Sequence, residues 1–150
     1  MLSVRDQAPD FTLTADSGEQ VTLSSFRGKK VVLYFYPKDD TPGCTKEACS
    51  FRDDYSQFLG KGAVVIGVSP DREASHTKFR AKYGLPFYLL SDPDHTVASA
   101  YGAWGEKKNY GRTYEGILRT TFVIDEQGLI QHVFAKVKPE GHAQEVLAVL

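Results

Sequence analysis

Cysteine is scarce in this sequence. Two among 150 residues cannot staple the disulfide-dense scaffold of a small secreted domain, and a chain of this length can bury a core without staples. Charge of one sign is also missing: 18 Lys and Arg face 19 Asp and Glu, a formal net charge of -1. The cations form no stripe that could neutralise a phosphate backbone, so nucleic acid is not an expected partner. No stretch approaches the roughly 18 apolar residues of a membrane span, and Met1 to Asp6 has no basic head leading into an apolar run. A soluble, cytoplasmic protein with no membrane partner is expected. Nucleotide motifs are absent too, since Gly28-Lys29-Lys30 has no glycine five residues upstream and no G-x-G-x-x-G occurs. His76, His95, His132 and His142 lack any C-x-x-C or H-x-x-x-H spacing and read as surface or hydrogen-bond-satisfied histidines. No metal and no cofactor are expected.

What the chain does have is ordinary globular balance, 41% hydrophobic and 25% charged, which suits one domain over residues 1–150. Phe11-Thr12-Leu13 and Val21-Thr22-Leu23 alternate around Asp16 to Glu19 and predict a short hairpin. Val31 to Tyr36 is β-branched and aromatic on both parities, so it predicts a central strand buried on both faces. Ala48, Phe51, Tyr55, Phe58 and Leu59 recur at helical spacing from Thr45 until Gly60. A strand over Ala63–Val68, a helix over Arg72–Tyr83 and a strand over Leu85–Leu90 follow, and Asp94 is placed to cap a short helix reaching Tyr101. Gly102 to Gly116 has neither periodicity and reads as a surface loop. Strands over Leu118–Ile124 and Leu129–Ala135 and a helix over His142–Leu150 close the pattern. The class is α/β: a mixed central sheet flanked by helices, of thioredoxin-like arrangement, with an N-terminal hairpin extension.

The chemistry concentrates between Pro37 and Cys49. Cys44 lies just past the carboxyl end of a buried strand, where open α/β sheets hold their ligands. With Thr41 as N-cap and Pro42 as first helical residue, it falls in the first turn of a helix, among unpaired backbone N–H groups. The plain alternative is that both cysteines are small buried hydrophobes. A reactive thiol must be a thiolate, yet an ordinary thiol is only about 3% ionised at pH 7. Making it mostly thiolate requires roughly 3.4 kcal/mol, whereas a helix terminus supplies about 0.3–1 and at best about 2 kcal/mol. A cation is needed as well. Lys38, Lys46 and Arg52 are near in sequence, and the last two suit a solvated helix face. Arg119 is different, because it opens an otherwise buried strand, Thr120 to Ile124, and needs a partner unless it snorkels to water.

Pro37, Thr41 and Cys44 fit the signature P-x-x-x-[TS]-x-x-C, and with Cys49 five residues on, the chain resembles the peroxiredoxins, specifically their Q-type branch, the bacterioferritin comigratory proteins. Ala8-Pro9-Asp10-Phe11, Leu89-Leu90-Ser91-Asp92, Tyr101-Gly102 to Trp104-Gly105 and Arg119 through Asp125 extend the resemblance over nearly the whole chain. It implies a hydroperoxide substrate, Cys44 as the attacking cysteine, and Cys49 as the resolving one through an intramolecular disulfide. It further implies thioredoxin or a similar dithiol protein as reductant, and a monomer. The Thr41 hydroxyl, the Cys44 N–H and the Arg119 guanidinium become donors to the peroxide oxygens, while Pro37 shields the sulfur. The resemblance makes Glu47 the residue that orients Arg119; otherwise Glu47 is an exposed first-turn acid favoured by the helix dipole.

The rival reading is a thiol–disulfide carrier, but such carriers read C-x-x-C and have no use for Pro37 and Thr41. Geometry adds one expectation. Positions five apart on a helix are turned by about 140° and raised by about 7.5 Å, so their Cα atoms are roughly 8.7 Å apart. Cysteines beyond about 7 Å cannot be bridged without backbone movement. A bond between Cys44 and Cys49 therefore requires the helix to unwind.

Overall fold

A strand that is apolar on both parities has to be covered on both sides, and the architecture follows from that. In the computed structural model, which describes residues 2–150, β1 (Thr12–Ala15) and β2 (Gln20–Thr22) form a hairpin, a 3-10 turn spans Leu23–Phe26, and β3 (Lys30–Phe35) follows. Next come α1 (Pro42–Asp53), α2 (Tyr55–Gly60), β4 (Ala63–Ser69), α3 (Glu73–Tyr83), β5 (Tyr88–Ser91) and α4 (Thr96–Ala100). The chain ends with β6 (Trp104–Asn109), β7 (Arg112–Ile117), β8 (Thr120–Ile124), β9 (Ile130–Phe134) and α5 (His142–Leu147). Among the described residues, seven strands form one sheet in the order β2-β1-β5-β4-β3-β8-β9. β3, β4 and β5 run parallel, and β8 returns antiparallel beside β3.

Alternate residues of β3 feed two cores. Val31, Leu33 and Phe35 join Phe122, Tyr101 and Val97 on one face. Val32 and Tyr34, with Tyr36 just past the strand, join Phe51 of α1, Phe58 of α2, Phe79 of α3 and Val146 of α5 on the other. Each large side chain wholly removed from water contributes roughly 1.5–3 kcal/mol, so the helix that carries the cysteines is docked chiefly by Phe51, which is 0% exposed.

Topology also delivers Arg119. The register pairs Phe35, where β3 ends, with Thr120, where antiparallel β8 begins. The residue just before Thr120 thus arrives at the same sheet edge as the loop leaving β3.

Four sequence expectations are corrected. Gly102 to Gly116 is no loop: most of it is the antiparallel hairpin β6–β7, a separate two-stranded sheet. Its alternation was invisible because it is polar on both faces, and its turn uses positive φ at Tyr110 (51°) and Gly111 (76°). The helix begins at Pro42, as the Thr41 N-cap position implied, but it does not run unbroken to Leu59: it breaks at Asp54 (φ -105°, ψ 10°) into α1 and α2. Asp94 does not cap α4; the Asp92 carboxylate accepts from the amides of Val97 and Ala98, at 3.3 and 3.0 Å. The last helix stops at Leu147 rather than Leu150.

Gly67 in β4 lies directly opposite Tyr34. A Cβ there would sit 2.9 Å from the Tyr34 Cζ and hydroxyl and 3.0 Å from Leu89 Cδ2. Gly67→Ala is expected to cost about 1–3 kcal/mol by overpacking, measured as a lowered midpoint of denaturant unfolding at unchanged slope; a midpoint at the wild-type value would mean that Tyr34 has room to move.

Candidate active site

Thr41 has extended backbone (φ -93°, ψ 156°) and stands at the N-cap, with Pro42 first in the helix. Its side chain does not cap, however. The Thr41 hydroxyl donates to the Lys38 carbonyl at 2.9 Å, which leaves the first-turn N–H groups of α1 without a side-chain partner. Cys44 is the third helical residue and is 1% exposed. Pro37 is half-buried where the loop leaves β3.

Arg119 meets this turn from the adjacent strand. Its Nη2 donates to Cys44 Sγ at 3.2 Å and its Nη1 to Glu47 Oε1 at 2.6 Å. Arg119 therefore does not snorkel, and Glu47, 0% exposed, is not a first-turn surface acid. Burial works against the Arg119 charge, but Glu47 and Cys44 outweigh it and raise its pKa further above the ordinary range. Burial likewise disfavours the Glu47 carboxylate. Arg119 offsets this only in part, and the carboxyl pKa is pushed up to about 7. The second oxygen, Oε2, has no hydrogen-bond partner among the described residues. Gly43 adjoins the guanidinium: a Cβ there would be in ordinary van der Waals contact with Arg119 Nη2, at 3.4 Å.

The other cations are engaged elsewhere. Lys46 pairs with Glu140 at 3.0 Å, and Arg52 reaches Asp53 and the Tyr83 carbonyl. Lys38 is exposed. Cys49 is a half-buried free thiol whose pKa is raised, by burial first. Beside Arg119, a cavity of about 280 Å³ is lined by Lys107, Leu118, Thr120, Ala135 and Lys136. Burial, and then the Arg119 charge, lower the Lys107 pKa. Another cavity, of about 480 Å³, flanks the first turn at Pro42, Gly43, Lys46, Lys138, Pro139 and Glu140.

Sequence reasoning missed what holds the loop. Asp39 accepts from the Tyr36 hydroxyl at 2.6 Å and the Ser75 hydroxyl at 2.7 Å, and meets His76 Nδ1 at 2.7 Å. Its amide donates to Asp71 at 2.7 Å, and His76 Nε2 donates to the Leu90 carbonyl at 3.0 Å. The available signal was His76 three residues before Phe79, which puts both on the inward face of α3. Ligand atoms of Asp39, Asp71 and His76 lie within 4.8 Å of one another, but hydrogen bonds already satisfy each side chain, so the cluster needs no metal to explain it.

Comparisons with known proteins bear on the family and the fold. The model of the AhpC/TSA family matches residues 4–133. The chain is 50% identical over 149 residues to peroxiredoxin Bcp of Bacillus subtilis, covering 99% of this chain and 95% of that one. It is 46% identical over 146 residues to peroxiredoxin Bcp of Escherichia coli K12, covering 97% and 94%. Among solved structures, a cysteine-to-serine variant of Xylella fastidiosa PrxQ superposes with a TM-score of 0.93 at 37% identity, over 99% of this chain and 94% of that one. The Xanthomonas campestris bacterioferritin comigratory protein, described for its alkyl peroxide reduction activity, gives 0.88 at 41% identity over 92% and 88%. The fold is thus thioredoxin-like.

The buried Glu47 predicts a pH dependence. Its carboxyl titrates near 4.5 when unfolded and near 7 in the fold. A raised folded value stabilises the fold fully below about 4.5, and that stabilisation is lost as pH rises through about 7. Glu47→Gln removes the titration, so the unfolding free energy of the variant minus that of wild type is expected to grow between these limits and level off above. A difference constant with pH would mean that Glu47 titrates normally.

Proposed function

Since the chain belongs to the AhpC/TSA family and is a thiol peroxidase akin to the Bcp, or Q-type, peroxiredoxins, we propose that it reduces hydroperoxides with Cys44 as the attacking thiolate and Cys49 as the resolving thiol. The observation that carries this reading is the Arg119 guanidinium, 3.2 Å from Cys44 Sγ in a turn of otherwise uncapped amides. A cation on a sulfur in the first turn of a helix favours the thiolate.

The thiolate attacks the terminal oxygen of the peroxide. An S–O bond forms, the O–O bond breaks, and the leaving oxygen takes up a proton to become water or an alcohol. Negative charge moves from sulfur to oxygen during this step, so donors already in place favour the transition state over the bound peroxide. Arg119 and the Cys44 N–H serve as those donors. The Thr41 hydroxyl, which donates to the Lys38 carbonyl, accepts a hydrogen bond from the incoming peroxide or rotates to donate one. Pro37 has no donor of its own and shields the sulfur, and Glu47 holds Arg119 across the helix. The mostly apolar cavity beside Arg119 suits the organic group of an alkyl hydroperoxide and leaves room for hydrogen peroxide.

The product is a sulfenic acid on Cys44. Cys49 displaces water from it to give the intramolecular disulfide, and thioredoxin or a similar dithiol protein returns both thiols. Both cysteines lie on α1, so their Cα atoms are roughly 8.7 Å apart while it is helical, and the residues between them have to unwind first. Resolution within one chain calls for no second subunit, so the reading includes a monomer acting as one domain over 1–150. A dithiol reductant belongs to a reducing compartment, here the cytoplasm. A thiol–disulfide carrier would not need a cation on its thiol in this manner and would not consume peroxide.

Cys44→Ser is expected to abolish thioredoxin-coupled peroxide consumption, because a serine hydroxyl is not ionised at neutral pH. Cys49→Ser should consume one equivalent of peroxide per chain and then stall as the sulfenic acid. Turnover of Cys49→Ser at the normal rate would make this a one-cysteine enzyme. Hydrogen exchange over residues 44–52 should be faster in the oxidised protein than in the reduced one; equal protection would contradict unwinding.

A further inference from the structure

The cysteine-bearing helix has to unwind without losing its place, and the C-terminal turn of α3 carries contacts to both of its ends. On the upstream side, the Tyr83 hydroxyl donates to Asp40 Oδ1 at 2.7 Å and Lys82 Nζ to Asp40 Oδ2 at 2.8 Å. These contacts lower the Asp40 pKa. On the downstream side, Arg52 Nη1 donates to the Tyr83 carbonyl at 2.7 Å. One residue thus touches the chain before α1 through its side chain and the end of α1 through its backbone. We propose that Tyr83 is a staple that pins both ends of the segment from Thr41 to Phe51, setting where unwinding stops and how readily Cys49 reaches Cys44. This rests on the unwinding step proposed above.

Three further features fit a pinned segment. Asp40 has φ 57°, a left-handed conformation that a non-glycine residue keeps only where its surroundings hold it. Asp39, immediately before it, is held by Ser75 and His76 in the first turn of α3, so the loop is tied along the length of that helix. Next to Arg52, the Phe51 ring packs 4.9 Å from Tyr34 and 5.6 Å from both Phe58 and His142, centroid to centroid. Only Asp54 separates α1 from α2, so an unwinding that passed Arg52 would run on into α2.

A chain held at both ends explores less space than one held at a single end. That raises the effective concentration of Cys49 around the Cys44 sulfenic acid once the turns between them open. Tyr83 and Arg52 are positioning residues for resolution and touch neither peroxide nor sulfur. The bland reading is that Arg52 merely satisfies an end carbonyl of α3 and that Tyr83 merely decorates the surface. It predicts no effect of Tyr83→Phe confined to one chemical step; Arg52→Met also removes a charge that lowers the Cys49 pKa, so the Tyr83 variant carries the distinction.

The test separates the two steps by rapid mixing with hydrogen peroxide. Oxidation of Cys44 is followed in the Cys49→Ser background, and disulfide formation in protein with both cysteines. Tyr83→Phe removes the tyrosine's bond to Asp40 while Lys82 keeps its own, and Arg52→Met releases the downstream end. A lost hydrogen bond to a charged group corresponds to roughly tenfold, so each variant should form the disulfide about tenfold more slowly while the peroxide step stays within about twofold. Hydrogen exchange of the oxidised Arg52→Met variant should show lost protection extending past residue 52 into α2. Arg52→Lys, which keeps a donor for the Tyr83 carbonyl, should recover most of the rate. Wild-type disulfide formation in both Tyr83→Phe and Arg52→Met would overturn the staple while leaving unwinding intact. Equal exchange of residues 44–52 in the two redox states of the unsubstituted protein would overturn unwinding and the staple together.

Discussion

One guanidinium is shared by two buried acids, and much of the molecule serves to bring the three together. At about 4 Å, opposite charges at the edge of a protein attract by about 4 kcal/mol. That exceeds the roughly 0.3–1 kcal/mol a helix terminus usually supplies, so Arg119 is the larger favourable influence on negative charge at Cys44. The same charge is claimed by Glu47, however, and an ionised carboxylate at 2.6 Å would spend much of it. Burial resolves the competition by pushing the Glu47 carboxyl up to about 7, so that near neutrality the carboxylate claims Arg119 only part of the time. The sheet supplies the geometry, because antiparallel β8 starts where β3 ends.

The same helix is asked for two opposite properties. In the proposed cycle it has to be formed for the pocket to exist and it has to open for Cys49 to reach Cys44. Its stability is correspondingly mixed: no side chain caps it, it breaks at Asp54, and Glu47 keeps one unpartnered oxygen away from water. Phe51, at 0% exposure, is the main apolar anchor. The proposed opening of residues 44–49 would rehydrate Glu47 and free the Cys49 thiol, whose pKa burial raises, while leaving Phe51 in the core. A buried acid within the moving turns and a buried ring just beyond them lower the cost of a local opening without inviting a global one.

How much of this was legible in the sequence depended on distance along the chain. The strand at Val31 to Tyr36 declared itself through apolar residues on both parities, and Pro37, Thr41, Cys44 and Cys49 lie close enough together to be read as one motif. Arg119 stood out as a charge at the mouth of a buried strand, and Glu47 through its spacing from Cys44. The β6–β7 hairpin did not stand out, because Glu106, Lys107, Lys108 and Thr113 give it no apolar face. The Asp39–His76 contact and the Tyr83 contacts were hidden for another reason. They join residues tens of positions apart whose partners are set by how α3 packs against the sheet, and no local pattern encodes that.

The central claim is that the Arg119 charge makes Cys44 reactive. Its most direct measure is the single-turnover rate of Cys44 oxidation by hydrogen peroxide in the Cys49→Ser background, with Arg119 intact and with Arg119→Met, which keeps much of the side chain's length without the charge. Removing one preorganised donor to a developing oxyanion typically costs about 10²–10³ in rate, and the loss expected here is at least that large because thiolate and transition state are both affected. A rate unchanged within about twofold at neutral pH would mean that the guanidinium is a structural tie between β8 and α1 and that the thiolate owes its reactivity to the helix terminus alone.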